Sequence, residues 1–80
     1  MKLTIALFGI TREIVGRPTL ELTGTEGQSV QDLLAQLRQD YPALGRLSSL
    51  AVAVNNDYAD DATTLHERDE IALIPPVSGG

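Results

Sequence analysis

Ser29-Val30-Gln31-Asp32-Leu33-Leu34-Ala35-Gln36-Leu37-Arg38-Gln39-Asp40-Tyr41-Pro42 is the stretch on which the fold turns. Val30, Leu33, Leu34, Leu37 and Tyr41 fall at i, i+3, i+4, i+7 and i+11, one apolar stripe at the helical period. Gln31, Gln36, Arg38 and Gln39 take the opposite side. Ser29 is a good N-cap, and Asp32 three residues on completes a box-like pair that would satisfy two of the free N–H groups at the helix start. Pro42 stops the helix. A single helix of this length is marginal in water, so its stripe requires a sheet to cover it.

The sheet is legible on both sides of the helix. Upstream, Leu3, Ile5 and Leu7 alternate with Lys2, Thr4 and Ala6, so Lys2 to Phe8 reads as a strand with one face inward. Gly9 breaks it. Thr11 to Val15 is long enough for about one helical turn, with Thr11 as its cap and Gly16 as its end. Thr19 to Thr23 alternates again and reads as a second strand, antiparallel to the first across a short connection. Downstream, Leu44 to Leu50 has the character of a short helix. Ala51 to Val54 is a buried-type apolar run that ends in turn chemistry at Asn55-Asn56-Asp57. Arg68-Asp69 reads as a turn, and Glu70 to Ile74 as the last strand, with Ile71 and Leu73 on the face opposite Ala72 and Ile74. The order β-β-α-β-β, with one long helix crossing between the second and third strands, predicts an α+β domain in two layers. It fits the β-grasp, or ubiquitin-like, arrangement: a mixed sheet packed on one main helix. The expected division is a domain over residues 1–74 and an extended tail over 75–80.

Composition narrows the function classes. The 80 residues suit one small domain; hydrophobic residues make up 42% and the net charge is −5. Six basic residues scattered from Lys2 to Arg68 form no phosphate-binding patch, so no nucleic-acid partner is expected. An acidic surface suits a partner with a basic face, and equally keeps a small protein soluble. There is no cysteine, which removes disulfides, thiolate metal sites and a cysteine nucleophile. One histidine cannot build a zinc site, and no metal is expected. His66 beside Glu67 reads as a solvated loop histidine. Asp57, Asp60 and Asp61 lack the Gly and bidentate Glu of a calcium loop and read as a solvated turn. Arg12 and Glu13 are either partner contacts or a local pair worth under about 1 kcal/mol. No stretch approaches the roughly 20 apolar residues of a membrane helix, and the expectation is a cytoplasmic protein with no membrane partner.

The final six residues, Pro75-Pro76-Val77-Ser78-Gly79-Gly80, follow a strong strand directly. The prolines have no N–H to extend a central ladder, and their fixed φ favours a stiff, extended exit. Val77 to Gly80 then reaches roughly 13 Å at full extension. Gly79 and Gly80 carry no Cβ and fit a narrow channel closed to other residues. A terminal carboxylate of this kind becomes an acyl donor once it is joined to AMP. A sulfur nucleophile can then displace AMP and leave a thiocarboxylate.

These residues carry a resemblance. Leu7-Phe8-Gly9 with Thr11-Arg12-Glu13-Ile14-Val15-Gly16, Ala53-Val54-Asn55-Asn56, and above all Arg68 to Gly80 resemble the small, sulfur-carrier subunits of molybdopterin synthase, in the wider ubiquitin-like family that includes the thiamin-pathway carriers. That family commonly has Gly where Arg68 stands and an aromatic pair where Leu73-Ile74 stand. The resemblance implies that Gly80 is adenylated by an ATP-dependent activating enzyme and thiocarboxylated from a sulfur donor protein. It would then give sulfur to a cyclic pyranopterin monophosphate on the large synthase subunit. It implies a sulfurtransferase heterotetramer, two small and two large subunits, with acid-base groups on the large subunit and no cofactor held by this chain. Pro75, Pro76, Val77, Ser78 and Gly79 would form the inserting tail. Phe8, Leu73 and Ile74 are candidates for an apolar docking patch beside it, with burial in the core as the competing reading. The alternatives are a thiamin-pathway carrier, against which Pro75-Pro76-Val77-Ser78 argues, a ubiquitin-like protein modifier, and a plain β-grasp interaction module.

Overall fold

The computed structural model describes residues 1–47 and 49–76. The elements are β1 (Lys2–Leu7), α1 (Gly9–Val15), β2 (Thr19–Thr23), α2 (Val30–Asp40), a 3-10 helix (Pro42–Arg46), β3 (Ala51–Val54), β4 (Asp57–Ala59) and β5 (Ile71–Ile74). They form one five-stranded sheet in the order β2-β1-β5-β3-β4. The sheet is mixed: β1 pairs antiparallel with β2 and parallel with β5, and β3 pairs antiparallel with both β4 and β5. A parallel central pair needs a crossover, and the chain from β2 through α2 to β3 supplies it. This is the β-grasp arrangement expected from the element order.

α2 begins and ends where local chemistry dictates. The Ser29 N–H donates to Asp32 Oδ2 and the Asp32 N–H donates to Ser29 Oγ, both at 3.2 Å. The next free donors go to the 60–64 loop: the Val30 N–H to the Thr63 carbonyl at 2.9 Å and the Gln31 N–H to the Asp61 carbonyl at 3.0 Å. Asp60 Oδ1 holds that loop by accepting from the Ala62 N–H and the Thr63 hydroxyl, both at 3.1 Å. At the other end Tyr41 is the C-cap and Pro42 starts the 3-10 helix. The stripe Val30, Leu33, Leu34 and Leu37 packs against Leu3, Ile5, Leu7, Ile71 and Leu73 on the inner sheet face, with Leu44, Val52 and Leu65 closing the core and Tyr41 at its margin. Burying side chains of this size contributes about 1.5–3 kcal/mol each.

The short helix expected over Leu44 to Leu50 lies instead at Pro42–Arg46, as a 3-10 helix, and three further expectations need correction. β4 makes a fifth strand where the sequence suggested only a turn at Asn55-Asn56-Asp57. Both asparagines are left-handed, with φ of 53° and 71°, and reverse the chain tightly enough for Asp57–Ala59 to pair with Val52–Val54. Such a turn suits asparagine, whose short polar side chain tolerates that region. Second, α1 starts at Gly9, with Phe8 as its N-cap, so Thr11 lies inside the first turn. Its buried hydroxyl still closes the turn, accepting from the Phe8 N–H at 3.0 Å and donating to the Phe8 carbonyl at 2.6 Å. Third, the turn before β5 sits at Glu67-Arg68, closed by the Asp69 N–H on the His66 carbonyl at 3.0 Å.

Candidate functional site: the tail root and the outer sheet face

β5 delivers the chain to the tail from the middle of the sheet. It ends at Ile74, and Pro75 and Pro76 follow, both half-buried. Pro75 comes to rest against Gly9, the first residue of α1: a β-carbon on Gly9 would stand 3.1 Å from Pro75 Cγ. Gly9 has φ +55°, so it is needed for its backbone conformation as well as for this contact. The Thr11 hydroxyl fixes Phe8, Phe8 starts α1 at Gly9, and Gly9 seats Pro75. Val77, Ser78, Gly79 and Gly80, the inserting part of the expected tail and its covalent end, lie outside the described residues.

Beside this root lies the sheet face that α2 leaves uncovered. Leu3, Ile5 and Leu7 point inward, so alternation turns Ala6 and Phe8 outward. The same alternation turns Ala72 and Ile74 of β5 outward, and Ala53 of β3. The register aligns Ala6 with Ala72 and Ala72 with Ala53, a row of small side chains across three strands. Tyr58 on β4 continues the row from Ala53 and is 75% exposed. The result is a shallow trough floored by Ala6, Ala53 and Ala72, with Phe8 on its wall and Asn56 and Glu70 at one end. A floor of methyl groups between two exposed aromatics can accept an apolar protein surface.

The proposed docking residues separate here. Phe8 is 53% exposed and borders the trough; Ile74 is half-buried on the outer face. Leu73 is 0% exposed and belongs to the core, so it has no surface to offer a partner. Neighbouring strand residues face opposite ways, so Leu73 and Ile74 cannot dock together. Ile10 and Tyr58 were not singled out in the sequence, and Gly9 was read only as a strand breaker and as part of the family resemblance. Ile10 and Tyr58 are exposed apolar side chains, Ile10 next in sequence to Gly9 and Tyr58 paired with Ala53 of the trough, and a tyrosine directly after a reversing Asn-Asn-Asp turn was the available signal for the second.

His66 is exposed; its backbone N–H donates to Asp69 Oδ2 at 2.8 Å. Asp69 Oδ1 accepts from Asn55 Nδ2 at 3.0 Å, while Asn55 Oδ1 accepts from the Glu70 N–H at 3.0 Å. Asn55 therefore ties the β3–β4 turn to the loop that leads into β5. Arg12 and Glu13 both line an open cleft that runs from Gly9 to Pro18.

The ThiS family profile matches residues 5–80, through the whole of this arrangement. The chain belongs to the ThiS family. It is 37% identical over 81 residues to the molybdopterin synthase sulfur carrier subunit of Arabidopsis thaliana, covering 100% of this chain and 84% of the relative. In three dimensions it is similar to SAMP1, small archaeal modifier protein 1, of Haloferax volcanii, with a TM-score of 0.83, 29% identity and full coverage of both chains. It is also similar to a chain in the protein–protein complex of subunits 1 and 2 of the molybdopterin-converting factor from Helicobacter pylori, with a TM-score of 0.68, 26% identity and 100% coverage of both. No helix among the described residues is long and apolar enough to cross a membrane.

Proposed function

We propose that this chain is the sulfur-carrier subunit of a molybdopterin synthase, a cytoplasmic sulfurtransferase, and that Gly80 is its covalent site. The observation that carries the reading is the whole-length likeness to curated molybdopterin synthase sulfur carrier subunits. An ATP-dependent activating enzyme joins the Gly80 carboxylate to AMP and releases pyrophosphate. Sulfur from a donor protein displaces AMP and leaves a thiocarboxylate. The tail, Pro75 to Gly79, carries it into the large subunit, where sulfur passes to cyclic pyranopterin monophosphate and begins the dithiolene. Acid-base groups belong to the large subunit, and this chain holds no cofactor of its own.

The β-grasp body is then a handle. The Helicobacter pylori complex supports a large-subunit partner, and the exposure of Phe8 beside Ile74 and the alanine trough supports assigning that partner to this face. Two small and two large subunits make the assembly. Intact mass of the chain from its native cell tests the chemistry: a terminal oxygen replaced by sulfur is expected. Removing Gly80 abolishes sulfur transfer and leaves folding intact. A truncated chain that still supports cofactor synthesis would sink the reading.

The likeness to a small archaeal modifier protein favours a second reading, in which the same activated Gly80 forms amides with lysines of other proteins. A ladder of lysine conjugates would be its signature.

A further inference from the structure

An activated carboxyl reacts with whatever nucleophile meets it, so the amines of the carrier itself matter. Lys2 is the only lysine among 80 residues; the other five basic residues are arginines. Arginine stays protonated at neutral pH and accepts no acyl group. The α-amine of Met1 is engaged: it donates to the Gly24 carbonyl at 2.9 Å and is partly buried, while the Gly24 N–H donates to the Met1 carbonyl at 2.7 Å. Lys2 is different. Its side chain is 66% exposed and its Nζ rests 3.0 Å from Glu21 Oε2 on the neighbouring strand, an open contact that solvent can exchange.

Topology sets Lys2 apart from the terminus of its own chain. β1 and β5 run parallel, with Leu7 opposite Leu73. Lys2 lies about 17 Å back along β1 from that pair, and the chain beyond Leu73 continues away from Lys2 to Pro75 at Gly9. Val77 to Gly80 spans roughly 13 Å when fully extended. The tail would have to double back at full stretch to meet its own Lys2, and a tether that barely spans its sites gives almost no effective concentration. A second copy faces no such limit.

We propose that Lys2 Nζ is the site at which one copy of this chain is acylated by the activated terminus of another. The inference rests on the reading of Gly80 as an activated carboxyl. Lys2 gives a proton to solvent and its free amine attacks the Gly80 carbonyl carbon of the adenylated copy. A C–N bond forms, the C–O bond to AMP breaks, AMP leaves with the electron pair, and the amine loses its second proton. Nothing is oxidised or reduced. Attack by Lys2 competes with attack by sulfur, so the product builds up when the sulfur donor is withheld.

The test incubates the full chain with its activating enzyme and ATP, without a sulfur donor. The expected product is an amide-linked dimer whose tryptic digest contains residues 69–80 of one copy branched from Lys2 of the other. Lys2→Arg, which keeps the charge facing Glu21, abolishes the dimer while the AMP adduct still forms. Linkage through the Met1 amine, a monomer that has lost water, or an adduct that yields no amide overturns the proposal. Failure to form any AMP adduct counts instead against the reading of Gly80. The chain prepared as a C-terminal alkyl thioester then tests Lys2 without the enzyme, and a thioester that hydrolyses without acylating Lys2 overturns the proposal on its own.

Discussion

Pro75 packs its ring against Gly9, so the point where β5 gives way to the tail is braced by the point where β1 gives way to α1. Gly9→Val puts a branched side chain on a residue with φ +55° and drives a methyl-bearing carbon toward Pro75 Cγ. Holding such a residue in the left-handed region costs about 1–3 kcal/mol. The expected result is a lower urea midpoint and, on the proposed function, slower sulfur transfer at temperatures where the variant is still folded. Gly9→Asn, which tolerates that backbone region, loses less stability. An unchanged midpoint for Gly9→Val would show that the backbone at this position does not need glycine.

Thr11→Val keeps the shape of a buried side chain and deletes its hydroxyl. The Phe8 N–H then loses its acceptor and the Phe8 carbonyl loses one donor, though it keeps the Thr11 N–H at 3.1 Å. Leaving a partly buried donor unsatisfied costs about 1–3 kcal/mol. Thr11→Ser retains the hydroxyl and should recover most of that loss. Equilibrium unfolding of the two variants, compared at equal temperature, checks the difference.

These two positions show what a sequence can and cannot disclose. α2 was legible because its stripe and its Ser29–Asp32 cap are both local, and nothing beyond residues 29–42 is needed to read them. β1, β2 and β5 were legible from alternation. β4 was not, because Asp57-Tyr58-Ala59 is too short to show a period and becomes a strand only through its pairing with β3. The importance of Gly9 was hidden for a similar reason: its contact lies 66 residues away at Pro75, and a strand-breaking glycine looks the same whether or not a ring rests on it. Of the expected site, the tail is visible as chemistry in the sequence alone. The outer trough depends on sheet register, which sets Ala6, Ala72 and Ala53 side by side and which no single segment encodes.

Asn55 meets two demands at once. Its φ of 53° suits the reversal, and its amide reaches Asp69 and Glu70. Asn55→Gly satisfies the backbone and removes the bridge, while Asn55→Ala removes both. The bridge is exposed, so Gly should cost about 0.5–1.5 kcal/mol, and Ala more because of added backbone strain. Hydrogen exchange at Glu70, whose N–H loses its acceptor in both variants, should accelerate in each. Protection at Glu70 that survives Asn55→Gly would mean the side-chain bond is not what holds this loop.

Phe8 and Leu73 looked like members of one patch, but Phe8 is exposed and Leu73 is buried in the core. Leu73→Ala opens a cavity under α2, and such truncations cost about 2–5 kcal/mol; its effect on partner binding should follow its effect on folding. Phe8→Asp changes a side chain that is 53% exposed, so the unfolding midpoint should move little, within about 0.5 kcal/mol. On the proposed function, the same substitution places a charge on the trough wall where the large subunit would lie, and desolvating an unpaired carboxylate opposes association. Calorimetric titration of the large subunit with each folded variant separates the two roles. Phe8→Asp should weaken binding by at least about tenfold, equivalent to about 1.4 kcal/mol, with stability retained. Wild-type affinity for Phe8→Asp would remove the outer face from the interface and leave the tail as the main contact.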